Sequence, residues 1–178
     1  MFNNTRFIRQ ELEKRRELLY QLAYSWCHQP ALADDLVQDT MVKALRNARQ
    51  LQNTQAIRSW LTRILSNCWY DHLRSRRDTV DIDSLPAETH PSVPCSNERQ
   101  DMVERVRHVI KQLPDGQRQV ITLVDLAGFS YAEIAETLDI PIGTVMSRIC
   151  RARKSLKVAL ADYDPRHDFM RAKIRRIK

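Results

Sequence analysis

Residues 130–156, SYAEIAETLDIPIGTVMSRICRARKSL, decide the fold of the second half of the chain. Ser130 and Glu133 have the spacing of a capping box, in which each side chain can satisfy a backbone N–H of the other at the start of a helix. Apolar residues then recur at helical spacing, stop at a proline and a glycine, and resume. Two helices are therefore predicted, at 130–139 and at about 144–160, with the proportions of a helix-turn-helix.

The second of these helices has two different faces. The apolar face carries Val145, Ile149, Ala152 and Leu156. The opposite side carries hydroxyl and cationic side chains, which are Thr144, Ser147, Arg148, Arg151, Lys154 and Ser155. Arginine can hydrogen-bond to guanine in the major groove, and Ser or Thr can hold phosphates. A solvated basic face on an ordinary helical hairpin is the alternative, and we favour DNA recognition because the turn, the cap and the basic face agree.

The first half of the chain is also predicted to be helical. Residues 31–85 contain neither Gly nor Pro, whereas a β protein needs turns every few residues. Apolar stripes at helical spacing run over about 18–26, 32–48 and 57–68, and three such helices can close a small core. We therefore expect an all-α chain with two small helical domains.

The charge distribution separates the two domains. The chain has 178 residues and a net charge of +7, and residues 1–77 carry 13 Lys and Arg against 7 Asp and Glu. Residues 78–98 contain three prolines, five acidic residues and no Lys or Arg, which indicates a flexible acidic linker. We name residues 1–77 the first lobe and 99–162 the second lobe, and residues 163–178 form a basic tail. A basic chain of this kind most often meets nucleic acid or an anionic surface.

Several classes of function are disfavoured. No phosphate-binding glycine loop, zinc-protease motif or nucleophile elbow occurs, and the five histidines are scattered, so we expect neither an enzyme nor a cofactor. The four cysteines lie far apart without a C-x-x-C pair, so no metal site is expected. No stretch approaches the roughly 18 apolar residues of a membrane helix, and the first residues have no signal-peptide core. We therefore expect a cytoplasmic protein without membrane insertion.

The last turns of the third predicted helix combine aromatic, amide and cationic side chains. Asn67, Trp69 and Tyr70 are interleaved with arginines that include Arg74. Aromatic rings stack on unpaired bases while arginines hold the backbone, so this mixture suits single-stranded nucleic acid. Trp69 could equally pack inward, and both alternatives stay open. Trp60 lies within the apolar stripe and is expected in the core.

An acidic cluster lies on the second predicted helix of this basic chain. The segment ADDLVQDT places Asp35, Gln38 and Asp39 on one exposed face. Acidic residues in a first helical turn are favoured by the helix dipole, which would be a sufficient structural reason. Contact with a partner is the sharper hypothesis.

Three blocks in order resemble one protein family. They are ADDLVQDTMVKAL at 33–45, AIRSWLTRILSNCWYDHLRSRR at 56–77, and LPDGQRQVITLVDLAGFSYAEIAETLDIPIGTVMSRICRARKSL at 113–156. Together they resemble the extracytoplasmic-function (ECF) group of bacterial σ70-type sigma factors, over about 18–160. The match of all three blocks is far more specific than a lone helix-turn-helix.

The resemblance implies a function for each lobe. The first lobe would correspond to region 2, which binds the β′ clamp helices of core RNA polymerase and recognises and melts the −10 element. The second would correspond to region 4, which reads the −35 element and touches the β flap. The linker would thread the RNA exit path, where a negative segment can imitate RNA, and an anti-sigma factor is an expected partner. The runner-up is a stand-alone helix-turn-helix regulator that binds duplex DNA, which leaves the first lobe without a role.

Site residues are carried over by position. The clamp-binding face matches Asp34, Asp35, Gln38 and Asp39. The −10 and melting set, which includes a specificity loop around 50–55, is assigned to Gln52, Asn53, Asn67, Trp69, Tyr70 and Arg74. The −35 set is Thr144, Ser147, Arg148, Arg151 and Lys154. Met146 departs from the family, many members of which have Arg or Lys there.

Overall fold

The computed structural model describes residues 4–78 and 106–159, and within these ranges the chain contains helices and no strand. The first lobe comprises α1 (Asn4–Cys27), α2 (Pro30–Arg46), two 3₁₀ turns (Ala48–Gln50 and Thr54–Ala56) and α3 (Ile57–Asp78). The second comprises α4 (described over 106–112), α5 (Asp115–Asp125), α6 (Tyr131–Leu138) and α7 (Ile142–Ala159). The all-α prediction is confirmed. None of the described helices is both long and apolar enough to cross a membrane.

The three helices of the first lobe close one apolar core. α1 packs against both α2 and α3, and α2 also packs against α3. The buried side chains come from the three predicted stripes and include Leu19, Leu22 and Trp26 of α1, Leu36, Val37 and Ala44 of α2, and Leu61 and Leu65 of α3. This core fixes the position of α3, which also packs against α6 of the second lobe.

The second lobe is built around α5 and α7, which pack on each other, with α6 against both. Ser130 caps α6 as predicted, because its Oγ accepts a hydrogen bond from Glu133 N (3.3 Å) while Glu133 Oε2 accepts one from Ser130 N (2.7 Å). The helix ends at Leu138, and Asp139 adopts a left-handed φ of 54°, the conformation that commonly terminates helices. α7 begins two residues earlier than expected, since proline at 141 is compatible with a first helical turn.

The two lobes touch along two lines, α1 against α5 and α3 against α6. At the first, Trp26 Nε1 donates a hydrogen bond to Thr122 Oγ1 (2.9 Å). Most of the predicted linker, the basic tail and Cys95 lie outside the described residues.

Candidate nucleic-acid interface

One face of α3 lines a groove of about 610 Å³ between α3, the end of α2 and the first 3₁₀ turn. Its α3 residues recur every three or four positions, the spacing of one helical face. The lining residues are Lys43, Asn47, Gln50, Trp60, Arg63, Ile64, Asn67, Tyr70, Asp71 and Arg74. The groove thus combines two aromatic rings, several amides and a cationic rim.

Three of the residues that the sequence assigned to the −10 set meet in this groove. Asn67 and Arg74 are exposed and line it, and Tyr70 lines it with 38% of its surface exposed. Gln50, at the start of the predicted specificity loop, reaches the same groove. The structure brings these polar groups together around a space open to solvent.

Trp69 does not belong to this surface. It is 4% exposed, stacks on His72 at a centroid distance of 5.9 Å, and forms part of the core. Its assignment to the DNA-binding set is therefore wrong, and the alternative of inward packing is the one that the structure shows. The reason is geometric, because residue 69 lies on the side of α3 that faces the other helices.

Trp60, rather than Trp69, is the tryptophan that lines the groove. The sequence placed Trp60 in the core, yet it is only partly buried and lines the groove. The sequence spacing could have predicted this position, because Trp60 and Asn67 are seven residues apart and thus share a helical face. Trp60 was assigned to the core because it also lies next to core positions in the apolar stripe.

The two loop residues of the −10 set do not line the groove. Gln52 and Asn53 are exposed, whereas Leu51, just before them, is 4% exposed and packs into the core. Asn53 Oδ1 accepts a hydrogen bond from Gln55 N (2.9 Å) and so caps the second 3₁₀ turn. Buried Leu51 and the Asn53 cap thus fix the loop, and Gln52 is exposed.

The rim of the groove is polar and charged. Lys43 Nζ lies 3.1 Å from Asp71 Oδ2. Desolvation lowers the pKa of Lys43, but this hydrogen bond helps to raise it, and the net shift is upward. Burial raises the pKa of Tyr70, which Arg148 of the other lobe partly offsets. Lys43 therefore stays cationic and Tyr70 stays a neutral donor near neutral pH. Within the described ranges, no group of three or more His, Cys, Asp or Glu could hold a metal ion.

The acidic face of α2 is fully presented to solvent. All four residues assigned to clamp binding are exposed, namely Asp34, Asp35, Gln38 and Asp39. Because α2 begins at Pro30, its first turn contains no acidic residue. The helix dipole acts within the first turn, so it does not account for these acidic residues.

The outer face of α7 is the second cationic surface. Arg151 and Lys154 are exposed, whereas Thr144, Ser147 and Arg148 are half-buried. Ser147 Oγ donates to the Thr144 carbonyl (3.0 Å). On the opposite face Val145, Ile149 and Ala152 are buried as predicted, and Leu156 is partly buried. Met146 is 54% exposed, so it stands on the outer side of the helix.

Arg148 has a neighbour that the sequence did not indicate. A Cβ atom at Gly116 would lie 3.0 Å from the Arg148 guanidinium carbon, so the guanidinium rests directly on the glycine backbone. The missing side chain at 116 makes room for Arg148 near Tyr70.

Comparison with known proteins identifies the family. Residues 12–79 match the model of Sigma-70 region 2, and residues 103–156 match that of Sigma-70, region 4. The chain is 37% identical over 138 residues to the ECF RNA polymerase sigma factor EcfG of Rhodopseudomonas palustris (strain TIE-1), which covers 77% of this chain and 75% of the relative. The chain belongs to the ECF group of σ70-family sigma factors. As an ECF sigma factor it acts with RNA polymerase in promoter recognition and transcription initiation.

Two solved structures share its architecture. The sigma factor RpoE of Bartonella quintana, solved in complex with the anti-sigma factor NepR, matches with a TM-score of 0.70 and 31% identity, over 86% of this chain and 96% of that chain. CnrH, solved in complex with the cytosolic domain of CnrY, matches with a TM-score of 0.66 and 30% identity, over 91% and 92%. The family assignment gives the first lobe a role, which the stand-alone regulator did not.

Proposed function

We propose that the α3 groove of this sigma factor receives an unpaired base of the −10 element. The observation that carries this proposal is the single helical face shared by Trp60, Arg63, Asn67, Tyr70 and Arg74. A base swung out of the stack can lie against an aromatic ring, and an amide can hydrogen-bond to its Watson–Crick edge. The arginines at either end suit the flanking phosphates.

The cationic face of α7 is proposed to read the −35 element as a duplex. It is convex, carries cations at helical spacing, and follows a short turn, as in proteins that place a recognition helix in the major groove. Arg151 is the best candidate for a base contact because it is exposed, whereas Arg148 is half-buried. Lys154, a turn further on, suits the phosphate backbone.

The acidic face of α2 is proposed to bind the β′ clamp helices, and the second lobe to contact the β flap. An exposed acidic patch on a chain of net charge +7 is complementary to a cationic partner. The structural relative RpoE was solved with an anti-sigma factor, so an anti-sigma partner is proposed here too. On this account the protein works in the cytoplasm, where core RNA polymerase is, and the polymerase performs the chemistry.

Run-off transcription tests the proposal. The purified chain is combined with core RNA polymerase and genomic fragments, and start sites are mapped from the transcripts. We expect stoichiometric co-purification with the core enzyme and transcripts that depend on the added chain. A duplex-binding protein that neither co-purifies nor starts transcripts would be the stand-alone regulator instead.

A further inference from the structure

The first two turns of α7 present apolar rather than cationic side chains to solvent. The two large exposed side chains within residues 142–149 are Ile142, which is 50% exposed, and Met146, which is 54% exposed. Arg148 is half-buried, and the first exposed cation of α7 is Arg151. The beginning of this helix therefore differs in chemistry from the rest of its outer surface.

The polar side chains of these two turns are engaged within the second lobe. The Arg148 guanidinium rests on the backbone of Gly116 at the start of α5. Ser147 is half-buried, and its Oγ donates its proton to the Thr144 carbonyl (3.0 Å). What this end of the helix offers to a ligand is therefore mainly apolar contact.

The exposed apolar residues form one continuous strip, which we name the leading face. It consists of Ile142, Met146 and Cys150, all exposed and four positions apart, so they lie above one another on one side of α7. Exposed Lys154 and Lys157 follow within about 17 Å of Met146 along the helix axis. A ligand that covers the leading face also meets these cations, which favours an anionic ligand such as DNA over an apolar protein surface.

The chemistry of the major groove narrows the choice of base. The first residues of a recognition helix are the ones that contact base edges. In the major groove, thymine presents a methyl group at C5, whereas guanine, adenine and cytosine present hydrogen-bonding groups at their edges. A thioether chain cannot satisfy such groups, and covering them without a partner costs free energy. The flexible side chain of Met146 fits a methyl group instead.

We infer that Met146 is a specificity-determining residue of the −35 contact, and that it reads the 5-methyl group of a thymine in the major groove. The inference rests on the proposed function of α7 and goes beyond it by naming the base. Ile142 extends the apolar surface by one turn. The cations from Arg151 onward hold the duplex, while the leading face selects an A·T pair.

Replacement of thymine by uracil tests this contact on the DNA. Holoenzyme made from the full chain and core RNA polymerase is bound to a duplex promoter fragment whose start site was mapped by run-off transcription. Each thymine of the −35 element is replaced in turn by deoxyuridine, which removes the methyl group and keeps the hydrogen-bonding edge. We expect one position at which affinity falls about threefold to fivefold, the effect of losing one buried methyl-sized group.

Variants of Met146 test whether this residue makes the contact. Met146→Ala should bind the thymine and uracil duplexes equally, and Met146→Leu, which has a similar volume, should retain the preference for thymine. Val158→Ala is the matched control, because Val158 is an apolar residue of α7 that is 70% exposed and lies about three turns further on. This control should keep the full preference. Because Met146 is exposed, its replacement leaves the core of the second lobe unchanged.

Three results would overturn the inference. The first is that no thymine shows a methyl effect that depends on residue 146, and the second is a −35 element without an A·T pair. The third is that Met146→Ala weakens binding to core polymerase and keeps the preference for thymine, which would assign the leading face to a protein contact. Absence of transcripts with the unaltered chain would instead refute the proposed function, and this result differs from transcription that is insensitive to the methyl group.

Discussion

The two lobes present cationic surfaces of opposite shape. In the first lobe, arginines flank a concave groove that contains aromatic and amide side chains. In the second, α7 is a convex helix whose cations alternate with small hydroxyl residues and with Met146. A groove with stacking surfaces suits a base that has left the duplex, whereas a convex helix fits the major groove of an intact one.

The lobes also differ in their relation to the polymerase. The first lobe carries an exposed acidic face on α2, while the outer face of α7 is basic. Net charge alone therefore does not distinguish these surfaces. What distinguishes them is the chemistry of the side chains between the cations.

The largest effect is expected when the acidic face is reversed. Asp39→Lys should weaken binding to core RNA polymerase by about 2–5 kcal/mol, because a reversed charge faces a cationic partner in a desolvated contact. Titration of the labelled chain with core enzyme measures this. Glu13→Lys, an equally exposed reversal on α1, is the control. If Asp39→Lys binds like the control, the α2 face is not the clamp contact.

Loss of an α7 arginine should weaken DNA binding by the second lobe alone. Arg151→Ala should weaken binding to −35 duplex by about 1–3 kcal/mol and relax preference at one base, with polymerase affinity unchanged. Arg153→Ala is the matched control, because Arg153 lies 3.7 Å from Asp125 on another side of the helix. Equal loss on cognate and scrambled duplexes would assign Arg151 to phosphate rather than to a base.

Removal of the α6 cap should destabilise the helix-turn-helix without touching either surface. Ser130→Ala should lower the free energy of unfolding by about 1 kcal/mol, since the Glu133 N–H loses its acceptor. Urea denaturation measures the change. Ser155→Ala, at an exposed position within α7, should cost nothing, and an equal cost at both sites would contradict the role of the cap.

The smallest expected effect is a pH dependence of the folding stability that arises from His28, directly after α1. Burial lowers the pKa of His28 to about 4, and Arg118 and Lys111 act in the same direction. The unfolded chain binds this proton near pH 6.5 and the folded chain does not, so stability falls as pH decreases from about 6.5 toward 4. The urea midpoint should fall less over this range for His28→Asn, which also tolerates the left-handed φ of 55°. Identical pH profiles would exclude His28 as the cause.

Periodicity in the sequence was sufficient for the helices and for the two faces of α7. The capping box at Ser130 was also predictable, because it depends on residues three positions apart. The exchange of roles between Trp60 and Trp69 was not, since both flank the same apolar stripe and only the packing of α1 and α2 decides which one is buried.

The contacts between the two lobes could not be predicted from any local sequence pattern. Tyr70 and Gln119 are 49 residues apart, and neither residue type signals the other. Likewise, the hydrogen bond from Arg63 to the Thr137 carbonyl depends on where helices of different lobes end in space. Such contacts follow from tertiary packing alone.

Permanganate footprinting of Asn67→Ala tests whether the α3 groove binds an unpaired base. The variant should still assemble with core polymerase and form a closed promoter complex, but its open-complex signal on a linear template should fall about tenfold, the effect of losing roughly 1.4 kcal/mol. A template with a pre-melted bubble should recover part of the signal, because the cost of unpairing is already removed. Normal opening on the linear template would contradict the account and place the melting site elsewhere.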